Sequence, residues 1–309
     1  VTAYDVIVLG EPLVEVATAD PFGHGVPATL GVSGDVVNSA AAAAAAGARV
    51  AIVARVATGE LGDAVVARIR ALGVDDALVR RVRGQQGVYL LHSDPSGQRQ
   101  FSYARAGSVG AALSPADLDA DTLAAAGAVL ASGITAALSV SAHGAVLAAA
   151  KLGRRFVYDP NFRPRLTSSA AAAAVLAEVA PLATLLTPSA PGETGALLGT
   201  GDPATAATIL RGLGARAVAV TCGDRGVHVS PSAGGPERWH PAVPAPSVVD
   251  QTGAGDVFTG TVTARLALGD DLQDAVRLGA AAASLAVGGQ GGTGFIAGLE
   301  QVRAHAGAA

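Results

Sequence analysis

One cysteine, Cys222, stands among 309 residues. An intramolecular disulfide and a multi-cysteine metal site are therefore both excluded. No local Cys–His pattern surrounds it, so it reads as packing rather than as a nucleophile. Aromatic residues are also scarce, at 4%, and charged residues reach only 15%. Apolar types make up 50%, and 40 glycines join an abundance of alanine. A chain this apolar and weakly charged is not a disordered one. It is long enough for a large core, and that core has to be built mostly from small side chains.

Other absences narrow the function. The net charge is -4, and no basic block offers a nucleic-acid footprint. The densest basic cluster, Arg80, Arg81 and Arg83, is short; it is expected to be a solvated turn or a segment near an anionic small molecule. Residues 122–150 carry no formal charge, but Ala, Gly, Ser and Thr dominate them, so a buried strand and helix are expected rather than a membrane span. The segment VTAYDVIVLGE lacks the pattern of a secretory signal. A cytoplasmic location, with neither nucleic-acid nor membrane partners, is the expectation. No GxxxxGK[ST] loop occurs, and the histidines show no HExxH spacing. Gly289-Gln290-Gly291-Gly292-Thr293-Gly294 matches GxGxxG, yet only a short tail follows it. A dinucleotide fold needs that motif between its first strand and helix. A flexible loop near a nucleotide is expected instead.

What remains is an alternation of branched runs and alanine-rich segments. Strands are expected over 4–9, 49–54, 128–131, 155–158, 182–186, 216–221 and 227–229. Helices are expected over 38–48, 61–72, 139–151, 169–179, 203–213, 253–268 and 272–287. Continuous apolar strands between helices are the pattern of a mainly parallel sheet covered on both faces. A hairpin, 88–91 with 100–103 around a turn at 93–97, interrupts the alternation. With part of 12–33 it is expected to form a separate small layer.

The sharpest chemical segment is Asp250-Gln251-Thr252-Gly253-Ala254-Gly255-Asp256. Its glycines permit a tight turn and close approach of a ligand. The run that follows predicts a helix, which places several amides at a helix N-terminus, where an anion is received. A carboxylate at Asp256 beside those amides suits proton removal from a hydroxyl during phosphoryl transfer. By spacing alone, a glycine-rich helix start with an acidic cap explains the segment equally well.

Joined to Gly34-Asp35-Val36-Val37-Asn38 upstream, this segment resembles the ribokinase-like (PfkB) carbohydrate kinase family, over nearly the whole chain. Two departures are Ser33, where the family has a first glycine, and Gln251, where threonine is common. The resemblance implies a three-layer α/β/α fold with a small β-sheet lid. It divides the chain into a large domain of 1–11, 34–87 and 106–309, and a lid of 12–33 and 88–105. It also implies ATP and Mg²⁺ as cofactors. Gly10-Glu11-Pro12-Leu13-Val14, Tyr89, Phe101-Ser102-Tyr103-Ala104-Arg105 and Asp159-Pro160-Asn161-Phe162-Arg163 are similar to the branch of the family that phosphorylates 2-keto-3-deoxygluconate at its 6-hydroxyl.

Carried over, the substrate falls to Gly34, Asp35, Asn38, Tyr89, Tyr103, Arg105, Arg163 and Asp256. Asp256 is the general base, assisted by Gly253, Ala254 and Gly255. The nucleotide falls to Ser189, Thr221, Gly223, Gly226, Gly253, Gly255 and Ser284, the last standing where relatives carry Asn. Glu193 organises magnesium through water. Tyr103 and Arg105 share a face if their strand continues through them, and an arginine fork suits a carboxylate. Surface arginines and core tyrosines are the plainer reading of the same residues. Asp159 and Asn161 also suit loop support through side-chain-to-backbone bonds. A kinase of a neutral sugar or nucleoside, and a non-catalytic sugar binder on this scaffold, are the alternatives. A homodimer through the lid edges is expected of such a layer.

Overall fold

The computed structural model describes residues 4–93, 99–232 and 235–307. In chain order its strands are β1 (Val6–Leu9), β2 (Leu13–Thr18), β3 (Thr29–Ser33), β4 (Val50–Ala57), β5 (Val79–Val82), β6 (Val88–Ser93), β7 (Arg99–Ala104), β8 (Ala128–Ser132), β9 (Phe156–Asp159), β10 (Leu185–Leu186), β11 (Val218–Thr221), β12 (Gly226–Ser230) and β13 (Arg238–Pro241). The helices are α1 (Asp35–Ala45), α2 (Glu60–Ala71), α3 (Ala120–Ala125), α4 (Gly133–Ala137), α5 (Val140–Leu152), α6 (Ser169–Val179), α7 (Gly192–Leu198), α8 (Pro203–Gly212), α9 (Ala254–Ala267), α10 (Leu272–Ala286) and α11 (Leu299–Gly307).

Alternate residues of β1 serve different cores. Val6 and Val8 pack with Val36, Ile52, Phe258, Val262 and Val276. Ile7 and Leu9 pack on the opposite face with Val146, Tyr158, Leu176 and Leu210. A strand covered on both faces has no position for a polar residue, which explains its uninterrupted apolar run. The sheet order is β13-β12-β11-β10-β9-β8-β1-β4-β5. Pairing is parallel except at β12 and β13. Helices on both sides complete a three-layer α/β/α architecture. Among the described residues, no helix is long and apolar enough to cross a membrane.

A second sheet has the order β3-β2-β6-β7. Its register places Gly31, Glu15, Tyr89 and Tyr103 in one row across the four strands. The turn expected at 93–97 lies, from residue 94 on, outside the described residues.

Several elements depart from the sequence reading. Arg80 and Arg81 are in neither a turn nor an open anion site. They belong to β5, the edge strand, where Arg80 bonds Asp117 and Arg81 bonds Asp63. β5 and β13 carry charged or aromatic side chains at an edge, so neither shows the apolar run of the central strands. The strand expected over 182–186 is reduced to Leu185–Leu186, because a tight turn occupies Ala180–Leu182. α1 begins at Asp35 rather than at 38, which puts Asp35 and Asn38 on successive turns of one helix.

α1 packs backbone to backbone against α9. A Cβ on Gly260 would lie 2.2 Å from the Ser39 carbonyl oxygen, so the two backbones touch where Gly260 has no side chain. Gly260→Ala is expected to keep the fold but lose about 1–3 kcal/mol, the usual effect of overpacking a rigid contact. Denaturant unfolding would measure it, and an unchanged midpoint would mean that the helices can separate freely.

Candidate active site

The parallel strands end at one edge of the sheet, the usual location for a ligand in an open α/β fold. β8, β9 and β11 deliver Ser132, Asp159 and Thr221 at their last residues, and the loop beyond β10 delivers Ser189. α1 and α9 begin at this edge.

Asp256 is buried in the first turn of α9. Asn38 Nδ2 donates to its Oδ2 at 2.8 Å, and Asn161 Nδ2 donates to its Oδ1 at 3.0 Å. Two carboxamides, from α1 and from the loop after β9, thus fix both oxygens. Burial, and next the Asp35 charge, push the Asp256 carboxyl up to about 6, against the pull of Asn38, Arg163 and Asn161. That places its proton exchange close to neutrality, as a general base requires. Asn161 is the one non-glycine among the described residues with positive φ, at 42°. Asparagine tolerates this region better than most residues. Its N–H donates to Asp159 Oδ1 at 3.0 Å, closing a local turn that aims the carboxamide.

The turn before α9 carries Gly253 at φ 80°, and no side chain caps the helix. Its first amides are open to an anion. Asp250 braces this turn: Oδ1 accepts from Thr252 N–H at 2.9 Å, and Oδ2 accepts from Gly291 N–H at 2.9 Å. The segment matching GxGxxG therefore lies against the Gly253 turn.

Glu193 ties two loops together. Phe162 N–H donates to Oε1 at 2.6 Å, and Ser189 N–H to Oε2 at 2.8 Å. Burial raises its carboxyl, opposed by those amides. Asp159 is held well above the usual carboxylate range by burial, and next by Glu193 and Asp256. Arg163 is the cation whose charge offsets all three. Among the described residues no group of three or more His, Cys, Asp or Glu is arranged to hold a metal. A Mg²⁺ here would be held chiefly by phosphates and water, the mode it favours in kinases. The carboxylate-rich surroundings and the open helix N-terminus fit such a metal–phosphate ligand.

Asp35 accepts from the Ser132 hydroxyl and lines a small cleft with Ser132, Asp159 and Asn161. Gly34, at φ 118°, passes 2.9 Å from Glu11 O at the position a Cβ would take. Tyr89 is buried in the second sheet, and its hydroxyl donates to Glu15. Burial, then the Glu15 charge, push that phenol up, so it remains a donor. Tyr103 is half-exposed with its ring 6.0 Å from that of Tyr89.

Two expected site residues are engaged elsewhere. β7 ends at Ala104, so Arg105 does not continue the face of Tyr103. Its Nε donates to Glu11 Oε2 at 2.8 Å, and Nη2 lies 2.5 Å from the same oxygen. Glu11 is fully buried and needs that counter-charge. Ser284 Oγ meets the Ala281 carbonyl and His305 Nε2, at 3.2 and 2.8 Å, instead of an open nucleotide wall. Cys222 is buried and its thiol is raised by desolvation, which fits packing. Thr221, Gly223 and Gly226 sit at the far end of the edge. Gly223 and Gly226 have φ of 59° and 116°. The Asn161 bond to Asp256 and the second-sheet carboxylate Glu15 escaped the sequence reading. Alternation along β2 was the available signal for Glu15, since it shares a face with Leu13 and Ala17.

A buried carboxylate held by two carboxamides beside an open helix N-terminus, at the mouth of an α/β/α sheet with a second sheet alongside, fits a phosphoryl-transfer enzyme for small hydroxylated molecules. The family model for pfkB family carbohydrate kinases matches residues 16–296. A 2-dehydro-3-deoxygluconokinase of Thermoproteus tenax is 34% identical over 291 residues, spanning 92% of this chain and 89% of that one. A PfkB protein from Polaromonas sp. JS666 superposes with a TM-score of 0.87 at 25% identity, covering 98% of this chain and 100% of that one. An Arabidopsis thaliana ribokinase complexed with ribose and ATP gives 0.80 at 21% identity, with 99% of each chain covered. The chain belongs to the pfkB family of carbohydrate kinases. It is an enzyme of ATP-dependent phosphotransfer onto a small sugar- or nucleoside-type substrate.

With Asp256 as the general base, its protonation would set the acid limb of turnover. kcat/KM is expected to rise with pH through about 6, because Asp256 acts deprotonated. Asn161→Gly suits the backbone but removes a bond that favours the charged form, so the limb should move to higher pH with turnover reduced about tenfold. An unmoved pH profile in that variant would separate Asn161 from the base.

Proposed function

We propose that the chain phosphorylates a sugar acid of the 2-keto-3-deoxygluconate type at its terminal hydroxyl. The observation that carries this reading is Asp256, fixed through both oxygens by Asn38 and Asn161, with Arg163 close enough to act on its charge. The similarity to the Thermoproteus tenax enzyme over most of both chains supports the substrate class.

ATP with Mg²⁺ supplies the phosphoryl group and neutralises charge. Asp256 accepts the proton of the substrate hydroxyl, making that oxygen the nucleophile. Asn38 and Asn161 keep the carboxylate aimed without solvent. The amides of Gly255 and Asp256 stabilise developing negative charge, with Gly253 and Ala254 shaping the turn. Asp35, set by Ser132, accepts from sugar hydroxyls. Tyr89 and Tyr103 present phenols from the lid, and Arg163 receives the acid end. Glu193 would order water around a bound magnesium, while Ser189, Thr221, Gly223 and Gly226 would border the nucleotide.

A neutral sugar or nucleoside is the second reading, and two observations favour it. Arg105 is neutralised by Glu11, and Glu15 adds a carboxylate to the lid row that holds Tyr89. A panel of 2-keto-3-deoxygluconate, its C4 epimer, fructose, ribose and adenosine decides between them. The sugar acid should give the highest kcat/KM, and a neutral compound in that place would overturn the assignment.

Asp256→Asn should lower turnover at least about a thousandfold while the protein stays folded. Near-normal turnover would remove Asp256 as the base. Arg163→Ala should raise KM for the acid about tenfold and leave neutral sugars nearly unchanged; an equal effect on both would reject its carboxylate role.

A further inference from the structure

The segment Gly289–Gly294 has glycines at the spacing of a dinucleotide loop but lies far from any such position. Its surroundings point to a different task. A Cβ on Gly292 would lie 2.3 Å from Asn38 Nδ2 and 2.5 Å from Asn38 Cγ. The backbone of Gly292 is therefore laid flat against the carboxamide that holds Asp256. On its other side, a Cβ on Gly253 would come 2.7 Å from Gly292 Cα. The loop is wedged between Asn38 and the turn that starts α9.

Two side chains secure the wedge. Asp250 accepts from Gly291 N–H at 2.9 Å. From the opposite direction, Arg68 Nη2 on α2 donates to the carbonyl and hydroxyl oxygens of Thr293, both at 3.3 Å. Arg68 is half-buried and lies 225 residues away in sequence. Asn38 has a second neighbour in Ser33 Oγ, at 3.4 Å, too long a contact to fix the carboxamide by itself.

We propose that Arg68 is a positioning residue for phosphoryl transfer: through Thr293 it clamps the glycine loop onto Asn38, and the loop in turn holds the Asn38 carboxamide on Asp256. Releasing the clamp lets the carboxamide rotate, and the base loses its 2.8 Å donor. Arg68 touches neither substrate nor nucleotide in this scheme, and it acts only through Asn38. The proposal rests on the reading of Asp256 as base.

Side-chain amide spectra of ¹⁵N-labelled protein, with the Asn38 signal assigned by Asn38→Ala, test the clamp without turnover. Arg68→Ala should move or broaden that signal, and Arg68→Lys should restore it in part. In the assay, Arg68→Ala should lower kcat about tenfold with KM for ATP within about twofold. It should also shift the acid limb of kcat/KM upward, since the charged form of Asp256 loses a donor. Asp35 and Asp159 oppose that charge and Arg163 favours it, and all three stay in place in the variant. In an Asn38→Ala background, Arg68→Ala should add less than about twofold, because the two act in series. Gly292→Ala should give the same effects as Arg68→Ala; if it does not fold, the Arg68–Asn38 cycle stands alone. An unchanged Asn38 signal in Arg68→Ala, or the same loss with and without Asn38, would overturn the clamp. If Asp256→Asn keeps its turnover while Arg68→Ala still moves the Asn38 signal, it is the assignment of the base that fails.

Discussion

The contact on which the site depends is the one between the backbones of α1 and α9. Asn38 precedes Ser39, and Asp256 lies one turn before Gly260, so the place where the helices touch also sets the distance between the Asn38 donor and the Asp256 carboxylate. Helix axes stand about 8–10 Å apart depending on the side chains at the contact, and a glycine there favours the near end of that range. The abundance of alanine and glycine thus has a geometric meaning. Small residues in α1, α9 and α10 allow close packing, and close packing lets residues 218 apart in sequence share a hydrogen bond.

Electrostatics shape the rest. Asp35, Asp159, Glu193 and Asp256 gather at one sheet edge, with Arg163 as the cation acting on most of them. Taken alone such a cluster is unfavourable, and the protein limits the cost with local donors: amides on Glu193, carboxamides on Asp256, a hydroxyl on Asp35. A metal-bound polyphosphate would bring cationic charge to the carboxylates and anionic charge to the helix amides, giving each half of the site a partner in the same ligand.

Much of this was legible in the sequence. The central strands announced themselves through continuous apolar runs, because burial on two faces leaves no other option. The Asp250–Asp256 segment stood out because its glycines and acids sit directly before a helical run. The edge strands β5 and β13 were illegible for the complementary reason, since a half-solvated edge admits arginine and tryptophan. The pairings were hidden as well. Nothing local in Arg105 says that it will be claimed by Glu11, 94 residues earlier, rather than by a ligand. The approach of Asn161 to Asp256 depends on a backbone turn that Asp159 closes, a detail of dihedral angle more than of composition.

Glu11 also stands where the chain passes between the two sheets. The first passage contains Glu11 itself. The second passes at Gly34, against the Glu11 carbonyl; the third at Gly87, whose absent side chain leaves room for the Glu11 carboxylate; the fourth at Arg105, which carries the counter-charge. All four strands of covalent connection meet at one residue, so the small sheet is mounted like a lever on a single fulcrum. A buried charge pair is little screened by salt, and the mounting should hold its set across ionic strengths. A substitution at the fulcrum tilts the whole sheet, whereas one at Glu15 or Tyr103 alters only the local surface. Changes in substrate range should therefore accumulate along that outer row while Glu11 and Arg105 stay fixed.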